Sequence, residues 1–299
     1  MPSRPTNAPW FVSLHGGHSG TYCDHAEDTL EALVERAHAL GMPVYGLTEH
    51  APRVEPEHVY DEEKSLGWDT AHLARLFADY AREARRLRDA WAGRITLLAG
   101  FEAEVVPEGR YVQVMRDLRE THQLDYLVGS VHWVDGVIID YTRARFDHAV
   151  EACGGRERFA LRYYDIVAEM IAGLRPEVVG HLDLVRRHGG DDPAFATPRV
   201  RERVRGVLAL MKEQEAILDI NTAALRKGIG GPYPAPWIVE IARDLGVACC
   251  FGDDAHRVSE VGAGIPESRD YLLAHGLREV TVLVREAGGL GRREVSLAG

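Results

Sequence analysis

Residues 247–256 are VACCFGDDAH, a short apolar run followed at once by a glycine, two aspartates and a histidine. A continuous apolar run of this length, without polar alternation, is typical of a strand that is buried on both faces of a parallel sheet. The polar residues after it would then lie at the carboxyl end of that strand. The same arrangement recurs along the chain, so it is the unit from which the fold is predicted.

Seven such runs are present, and each ends in a polar or glycine-rich cluster. They span residues 10–14, 43–47, 95–99, 126–128, 178–179, 216–220 and 247–251. Longer stretches between them have the 3, 4, 7 spacing of apolar residues that predicts amphipathic helices. These stretches cover residues 30–40, 71–91, 159–174, 200–216 and 237–245. Strands that alternate with helices predict a parallel α/β sheet with right-handed crossovers.

Two architectures fit this alternation. An open doubly wound sheet collects its ligands at one switch point, whereas a barrel collects residues from the end of every strand at one mouth. Candidate ligands follow all seven runs, which favours a barrel. Because no Gly-, Pro- or Ser-rich linker interrupts the pattern, we predict a single domain over residues 1–299. Its core would be residues 8–284, with an extra strand at 279–284, and residues 285–299 would form a loose tail.

Composition restricts the class of protein. Hydrophobic residues make up 45% and charged residues 27% of the chain, and no run of eighteen apolar residues occurs, so we predict a globular protein without a membrane span. The first ten residues lack the apolar core of a secretory signal, and the four cysteines form no CxxC pair. We therefore expect a cytoplasmic location and reduced thiols. The net charge of -11 argues against binding of long nucleic acid.

Histidines are concentrated at the predicted strand ends, and we interpret the remaining ones as ordinary surface or core residues. The seven at strand ends are His15, His18, His25, His50, His132, His181 and His256. Neutral imidazole is a common ligand of zinc and also suits iron. Carboxylates such as those of Glu102 and Asp254 can bridge two ions and balance their charge. Without metal, such a cluster would be a poorly satisfied polar site.

An ordered set of motifs covers most of the chain, from about residue 11 to about residue 266. The motifs are HGGHSGTYCDHAEDTL, LTEHAPR, GFEAEV, YLVGSVHW, VGHLDLV, DINTAALRKG followed by YPAP, and GDDAHR. This set resembles the histidinol-phosphatase branch of the polymerase-and-histidinol-phosphatase (PHP) superfamily. The resemblance implies a distorted (β/α)7 barrel with its metal site at the C-terminal ends of the strands. It also implies three bound ions of zinc, iron or manganese.

Transferred motif by motif, the resemblance assigns nine ligands to the three ions. The first ion would be held by His15, His18, Glu102 and Asp254. The second would share Glu102 and add His132 and His181, and the third would be held by His25, His50 and His256.

One position departs from the pattern of the superfamily. Its first motif is usually HxH, whereas this chain has HxxH, which places Gly16 two residues before His18. We expect His15 to reach the metal through a bulged loop, because Gly16 and Gly17 accept backbone angles that are closed to other residues.

The activity implied by the resemblance is hydrolysis of L-histidinol phosphate to L-histidinol and phosphate, a step of histidine biosynthesis. A hydroxide that bridges two ions would attack phosphorus in line, without a phosphoenzyme. The predicted catalytic residues are Glu102, Asp254 and His256. The predicted phosphate-binding residues are Arg53, Arg226, Lys227 and Arg257. Glu49 and Asp183 are candidates either for the proton donor or for orienting ligand histidines.

Three other functions remain open from the residues alone. One is a phosphoesterase of other specificity on the same scaffold, such as an oligonucleotide exonuclease or a phosphotyrosine phosphatase. Another is a barrel amidohydrolase, whose binuclear form carries a carboxylated lysine at a strand end; Lys64, Lys212 and Lys227 do not occupy such a place. The third is a metal-stabilised binding protein without turnover.

Overall fold

The computed structural model of the chain describes residues 8–286 and 289–298. Its strands are β1 (Val44–Leu47), β2 (Thr96–Ala103), β3 (Tyr126–Gly129), β4 (Trp133–Val134), β5 (Val137–Ile138), β6 (Val178–Val179), β7 (Ile217–Asn221), β8 (Cys249–Gly252), β9 (Glu279–Glu286) and β10 (Gly289–Ser296). Its α-helices are α1 (Leu30–Ala39), α2 (Asp61–Ser65), α3 (Thr70–Ala90), α4 (Tyr111–His122), α5 (Arg143–Ala152), α6 (Arg156–Leu174), α7 (Arg186–Gly189), α8 (Pro198–Glu213), α9 (Ala223–Arg226), α10 (Pro236–Leu245) and α11 (Ile265–Ala274).

A parallel sheet of six strands forms the centre of the molecule, in the order β1-β2-β3-β6-β7-β8. Strand β2 pairs with β1 through residues 96–99 and with β3 through residues 100–103, so the sheet curls along the length of β2. This confirms the predicted α/β class, and the parallel sheet is a curled one of six strands. Because all six strands run in the same direction, their carboxyl ends meet at one rim.

The predicted first strand, residues 10–14, is wrong as a strand. In its place Ser13 forms an isolated parallel bridge with Tyr45. The N–H of Leu14 donates to the carbonyl of Phe251 at 2.8 Å, so the segment also contacts β8. A tight turn, in which the N–H of Val12 donates to the carbonyl of Trp10 at 2.9 Å, leaves too few extended residues for a ladder.

The five predicted helical stretches are confirmed as α1, α3, α6, α8 and α10. Helix α1 illustrates the local cause. The side chain of Thr29 accepts a hydrogen bond from the N–H of Ala32 and caps the first turn, while Leu30, Leu33 and Val34 are buried on one face. Among the described residues, no helix combines the length and the apolar character needed to cross a membrane.

The carboxyl-terminal residues form a β-hairpin. The strand predicted at 279–284 is confirmed within β9, but the predicted loose tail is wrong for its described part, because β10 pairs with β9 in continuous antiparallel register. Val280, Val282 and Leu283 are buried, and Leu297 is fully buried. Burial of this apolar face holds the hairpin against the sheet. Residues 287, 288 and 299 of the predicted tail, and residues 1–7 of the predicted domain, lie outside the described residues.

A short hairpin follows the sheet strand β3 and holds one of the predicted ligands. Strands β4 and β5 are joined by Asp135 and Gly136, both with positive φ, as expected for an Asp-Gly turn of a two-residue hairpin. The N–H of Ile139 donates to the carbonyl of His132 at 2.9 Å. The Asp-Gly turn and this hydrogen bond therefore fix the backbone conformation at His132.

Candidate metal centre

All nine predicted ligands lie together at the carboxyl rim of the sheet. Each comes from the amino-terminal segment or from the end of a strand: His15, His18, His25, His50, Glu102, His132, His181, Asp254 and His256. Several combinations of three or more of their nitrogen and oxygen atoms lie within 4.8 Å of one another. The structure thus brings together residues that are far apart in the chain.

Glu102 occupies the centre of this cluster and is 1% exposed. Its Oε1 lies 3.1 Å from Nε2 of His181 and 3.3 Å from Nε2 of His15. The same oxygen lies 3.7 Å from Nε2 of His132, and Oε2 lies 2.8 Å from Nδ1 of His50. A buried carboxylate surrounded by four imidazoles is suited to bridge cations that these histidines also bind.

A second group of histidines lies at the outer side of the cluster. Nε2 of His50 lies 3.2 Å from Nε2 of His25 and 3.4 Å from Nε2 of His256. At these distances the three imidazole nitrogens cannot all be paired by hydrogen bonds with one another, because each neutral ring carries only one N–H. A cation bound by all three nitrogens would pair their lone pairs better. The thiol of Cys23 lies 3.2 Å from Nδ1 of His25 and joins this group. From the sequence we expected Cys23 to be a reduced thiol and did not include it among the candidate ligands.

His18 and Asp254 connect the two groups. Nε2 of His18 lies 3.5 Å from Oδ1 of Asp254, and the ring of His18 stacks on that of His256 with 4.2 Å between centroids. Neither ring nitrogen of the buried His18 has a hydrogen-bond partner among the described residues, and the same holds for Nε2 of His15 and Nδ1 of His181. Buried imidazole nitrogens are rarely left unpaired. The donor set therefore fits metal cations.

The HxxH departure has a visible structural basis. Gly17 has a φ of 78°, and the N–H of His18 donates to the carbonyl of Ala255 at 3.0 Å. This bend lets both His15 and His18 point into the cluster, as the prediction of a bulged loop requires.

Charges within the cluster shift several pKa values. Burial and the neighbouring charge of His18 lower the pKa of His50 to about 4, which keeps this imidazole in the neutral form that binds metals. Burial alone would raise the pKa of Glu102, but the charges of His15 and His132 outweigh it and hold that pKa well below its usual range. Burial alone would lower the pKa of His132, but Glu104 and other acids raise it to about 10. The centre therefore attracts positive charge.

Three carboxylates each contact Nδ1 of a predicted ligand histidine. Oε1 of Glu104 lies 2.5 Å from Nδ1 of His132, and Oδ2 of Asp219 lies 2.8 Å from Nδ1 of His15. Such contacts fix the orientation of a ligand ring. Sequence reasoning missed both acids, although an aspartate inside the apolar strand β7 is a signal that could have identified Asp219.

Glu49, one of the two acids considered as proton donor, is the third of these carboxylates. Its Oε1 lies 3.5 Å from Nδ1 of His18, and its carboxylate accepts hydrogen bonds from the N–H groups of Ser19 and His50. These contacts favour the orienting role. The other acid, Asp183, lines a different cavity, where it accepts a hydrogen bond from the N–H of Ala235 at 2.8 Å.

A cavity of about 570 Å³ opens over the cluster. Of the predicted phosphate-binding residues, Arg226, Lys227 and Arg257 line it, but Arg53 does not. Arg53 is buried in an ion pair with Glu63 and lies over the ring of Tyr60. Arg53 pairs with Glu63 and does not line the cavity, because the buried carboxylate of Glu63 needs a charged partner.

The cations that line the cavity differ in how they are paired. Arg257 is 2.7 Å from Glu27, and both Arg257 and Arg226 contact Glu260. Arg187 also lines the cavity, and neither it nor Lys227 makes a side-chain hydrogen bond or ion pair with any described residue. Sequence reasoning missed Arg187, although it follows the VGHLDLV motif directly.

Aromatic and acidic residues also line the cavity. Tyr60 and Tyr141 line it together with Glu62 and Asp140, and Oδ1 of Asp140 is buried without a partner among the residues described. The cavity therefore presents cations, acids and aromatic rings to a bound molecule. No motif marked these four residues.

Comparisons with known proteins agree with this geometry. Residues 15–223 match the family model of the PHP domain. A protein of Schizosaccharomyces pombe named "Probable histidinol-phosphatase" is 30% identical over 285 residues, which cover 94% of this chain and 92% of that protein. The histidinol-phosphatase of Saccharomyces cerevisiae is 28% identical, with 87% of each chain covered.

Solved structures show the same fold. A crystal structure from Listeria monocytogenes has a TM-score of 0.72 at 27% identity and covers 85% of this chain and 98% of its own. The histidinol phosphate phosphatase of Lactococcus lactis, solved with zinc, L-histidinol and phosphate, has a TM-score of 0.69 at 19% identity and covers 91% of this chain and 95% of its own. Since the family model matches more than half of the chain, this protein belongs to the PHP domain family.

Proposed function

We propose that the chain is a metal-dependent phosphomonoesterase that hydrolyses L-histidinol phosphate to L-histidinol and phosphate. The observation that carries the proposal is the convergence of seven histidines, Glu102 and Asp254 in one cluster, most of whose members line one cavity. The names of the relatives support the substrate. So does the Lactococcus lactis structure, whose bound molecules are zinc, L-histidinol and phosphate.

The nine clustered side chains would hold three cations of zinc, iron or manganese, in the grouping that the motifs imply. Bound cations supply Lewis-acid activation of water and neutralise negative charge on a phosphoryl group. Glu102 is placed to be shared between two ions, because its two oxygens face different histidines. Asp254 would contribute through the groups that it forms with His15 and His181 and with His18 and His256.

The cavity walls support a substrate that is anionic at one end and cationic at the other. Arg187 and Lys227 would neutralise phosphoryl oxygens, because neither side chain has another partner among the described residues, and an arginine can bind phosphate through two parallel hydrogen bonds. Glu62 and Asp140 would face the amine of the alcohol, and Tyr60 would pack against the imidazole.

We also propose that residues 10–14 take the place of a seventh strand in a distorted (β/α)7 barrel. The contacts of Ser13 with Tyr45 and of Leu14 with Phe251 support this, because they link the two outer strands of the sheet. A single domain is supported by one buried apolar cluster that extends from Trp10 to Leu297.

The test combines metal analysis with an assay of phosphate release from L-histidinol phosphate. His132→Ala removes one predicted ligand, so we expect it to lose bound metal and at least about 100-fold of the turnover. His148→Ala, an exposed residue of α5, is the matched control and should retain both.

Unchanged turnover in His132→Ala would contradict the proposal. Metal-loaded protein that releases no phosphate from L-histidinol phosphate would also contradict it. Release from a dinucleotide or a phosphotyrosine peptide would then identify a phosphoesterase of other specificity, and no release from any of them would indicate a binding protein.

A further inference from the structure

The segment at residues 53–63 follows shortly after the candidate ligand His50 and ends in the short helix α2. Two of its residues, Tyr60 and Glu62, line the metal cavity, whereas its first and last residues, Arg53 and Glu63, do not. A helix as short as α2 is not stable by itself. Contacts outside the cavity must therefore hold the two lining residues in place.

A buried ion pair between Arg53 and Glu63 supplies these contacts. Arg53 is 8% exposed and Glu63 is fully buried. Oε2 of Glu63 accepts a hydrogen bond from the N–H of Tyr60 at 2.9 Å, at the amino terminus of α2. The guanidinium group of Arg53 lies 4.4 Å from the centroid of the Tyr60 ring, within the range of a cation–π interaction. The ion pair thus contacts both the backbone and the ring of Tyr60.

Arg53 is also connected to the metal centre, through the backbone of Ala51. Its Nη1 donates to the carbonyl of Ala51 at 3.3 Å, and the N–H of Ala51 donates to the carbonyl of Glu102 at 2.8 Å. Glu102 is the carboxylate at the centre of the ligand cluster. Because desolvation of two buried charges offsets much of their attraction, such a pair is weak evidence for a purely stabilising role. Its contacts instead link the lining residues to the metal centre.

We propose that Arg53 is a positioning residue that makes the cavity selective for the alcohol part of the substrate. It holds Tyr60 and Glu62 at the distance from the metal centre at which they receive the imidazole and the amine of L-histidinol. Arg53 itself contacts no phosphate, in contrast to the role predicted from the sequence. This inference rests on the function proposed above, and it names a residue that determines which phosphomonoester fits.

Calorimetric titration of the metal-loaded full chain with two probes tests the proposal. Inorganic phosphate reports on the metal centre and the cations near it. L-Histidinol is titrated after saturation with phosphate, so that it cannot take the place of phosphate, and it reports on Tyr60 and Glu62. Neither measurement requires turnover.

The main variant combines Arg53→Met with Glu63→Gln. It removes both buried charges together, so neither is left unpaired and the net charge stays the same. The glutamine can still accept the hydrogen bond from the N–H of Tyr60. We expect the affinity for L-histidinol to fall by about tenfold or more, and that for phosphate to change by no more than about twofold, because only the position of the lining residues changes.

Two further variants complete the comparison. Arg53→Lys keeps the charge but loses the planar group over Tyr60, so we expect a smaller loss of L-histidinol affinity, of about threefold. Arg143→Met combined with Asp147→Asn removes an exposed ion pair of α5 at constant net charge and should bind both probes as the parent does. Metal analysis and the melting temperature of each variant check that metal and fold are retained. A general loss of structure would weaken both probes alike, so the ratio of the two affinities isolates the positioning effect.

Three results would overturn the proposal. One is an L-histidinol affinity in the double variant that equals that of the parent. Another is an equal loss of affinity for both probes, or a loss of metal, in both variants of Arg53, which would assign it a purely structural role. In these two cases, hydrolysis of L-histidinol phosphate by the parent shows that the proposed function still stands. The third is a parent protein that binds phosphate but not L-histidinol, which would remove the proposed substrate as well.

Discussion

Glu104 shows how a residue that binds no metal itself can control the centre. It stands two positions after Glu102 in the chain, and its carboxylate touches Nδ1 of His132 on the side away from the cluster. A carboxylate in this position fixes the ring and increases the basicity of the other nitrogen. We therefore expect the metal affinity of the candidate site to depend on residues, such as Glu104, that contact its histidines from outside the cluster.

We expect Glu104→Gln to weaken metal binding by about 10- to 100-fold, because the amide keeps the size of the side chain but loses the charge. Competition with a fluorescent chelator measures this affinity. Glu108→Gln, at an exposed position of the same segment, is the control. Equal affinity in both variants would show that Glu104 does not orient His132.

Arg187 is the cation of the metal cavity that sequence reasoning did not find. We expect Arg187→Ala to raise the KM for L-histidinol phosphate by about tenfold or more, because it removes two charge-assisted hydrogen bonds to phosphate. Arg187→Lys should recover only part of the loss, since lysine lacks the planar fork. Steady-state kinetics measure both effects, with the exposed Arg205→Ala as control. A KM that stays at the parent value in Arg187→Ala would rule out this role.

Arg53 and Arg187 together show the limit of prediction at this scale. Both follow a ligand motif, in LTEHAPR and in VGHLDLVRR, so the sequence offers no reason to choose one over the other. Only the buried Glu63, which is close to Arg53 in space, decides that Arg53 turns away from the cavity.

At the scale of elements, the carboxyl-terminal hairpin is the clearest addition made by the structure. Strand β9 contacts β8, β1 and β2, so it covers part of the central sheet. Residues that look like a polar tail in sequence, such as Arg292 and Arg293, are exposed residues of β10. Pairing between strands stabilises a segment whose own apolar content is low.

Leu283→Ala tests whether this hairpin belongs to the folded core. Leu283 is 1% exposed, so we expect its truncation to lower the free energy of unfolding by about 2–5 kcal/mol. Denaturant titration followed by circular dichroism measures the change. The matched Leu66→Ala, at a position that is 59% exposed, should change it by no more than about 0.5 kcal/mol. A similarly small effect of Leu283→Ala would instead support the prediction that the carboxyl-terminal residues form a loose tail.

At the scale of the whole molecule, the candidate metal centre brings together residues from distant parts of the chain. The ligands extend from His15, before the first sheet strand, to His256, after the last one. Removal of the cations would leave buried acids and unpaired imidazoles in contact. If the proposed cations bind, we therefore expect the fold and the metal site to stabilise each other.

We expect a chelator to lower the melting temperature by at least about 5 °C. One site held at 100 times its dissociation constant contributes about 2.7 kcal/mol, and each kcal/mol shifts a chain of this size by about 2–4 °C. Differential scanning calorimetry before and after chelation measures the shift, and re-addition of metal should reverse it. Identical melting temperatures before and after chelation would show that metal bound by the cluster does not contribute to stability.

The alternation of strands and helices and the choice of nine candidate ligands could be predicted from the sequence, because apolar periodicity and motif order are local properties that the chain carries directly. Six of the seven predicted strand runs are strands, and all nine candidate ligands, from His15 to His256, meet at one rim. The sequence did not predict which cationic side chains line the cavity, which acids contact the histidines, or that the carboxyl-terminal residues form a hairpin. Those outcomes depend on contacts between distant residues, such as Arg53 with Glu63 and His15 with Asp219, and no local pattern encodes such contacts.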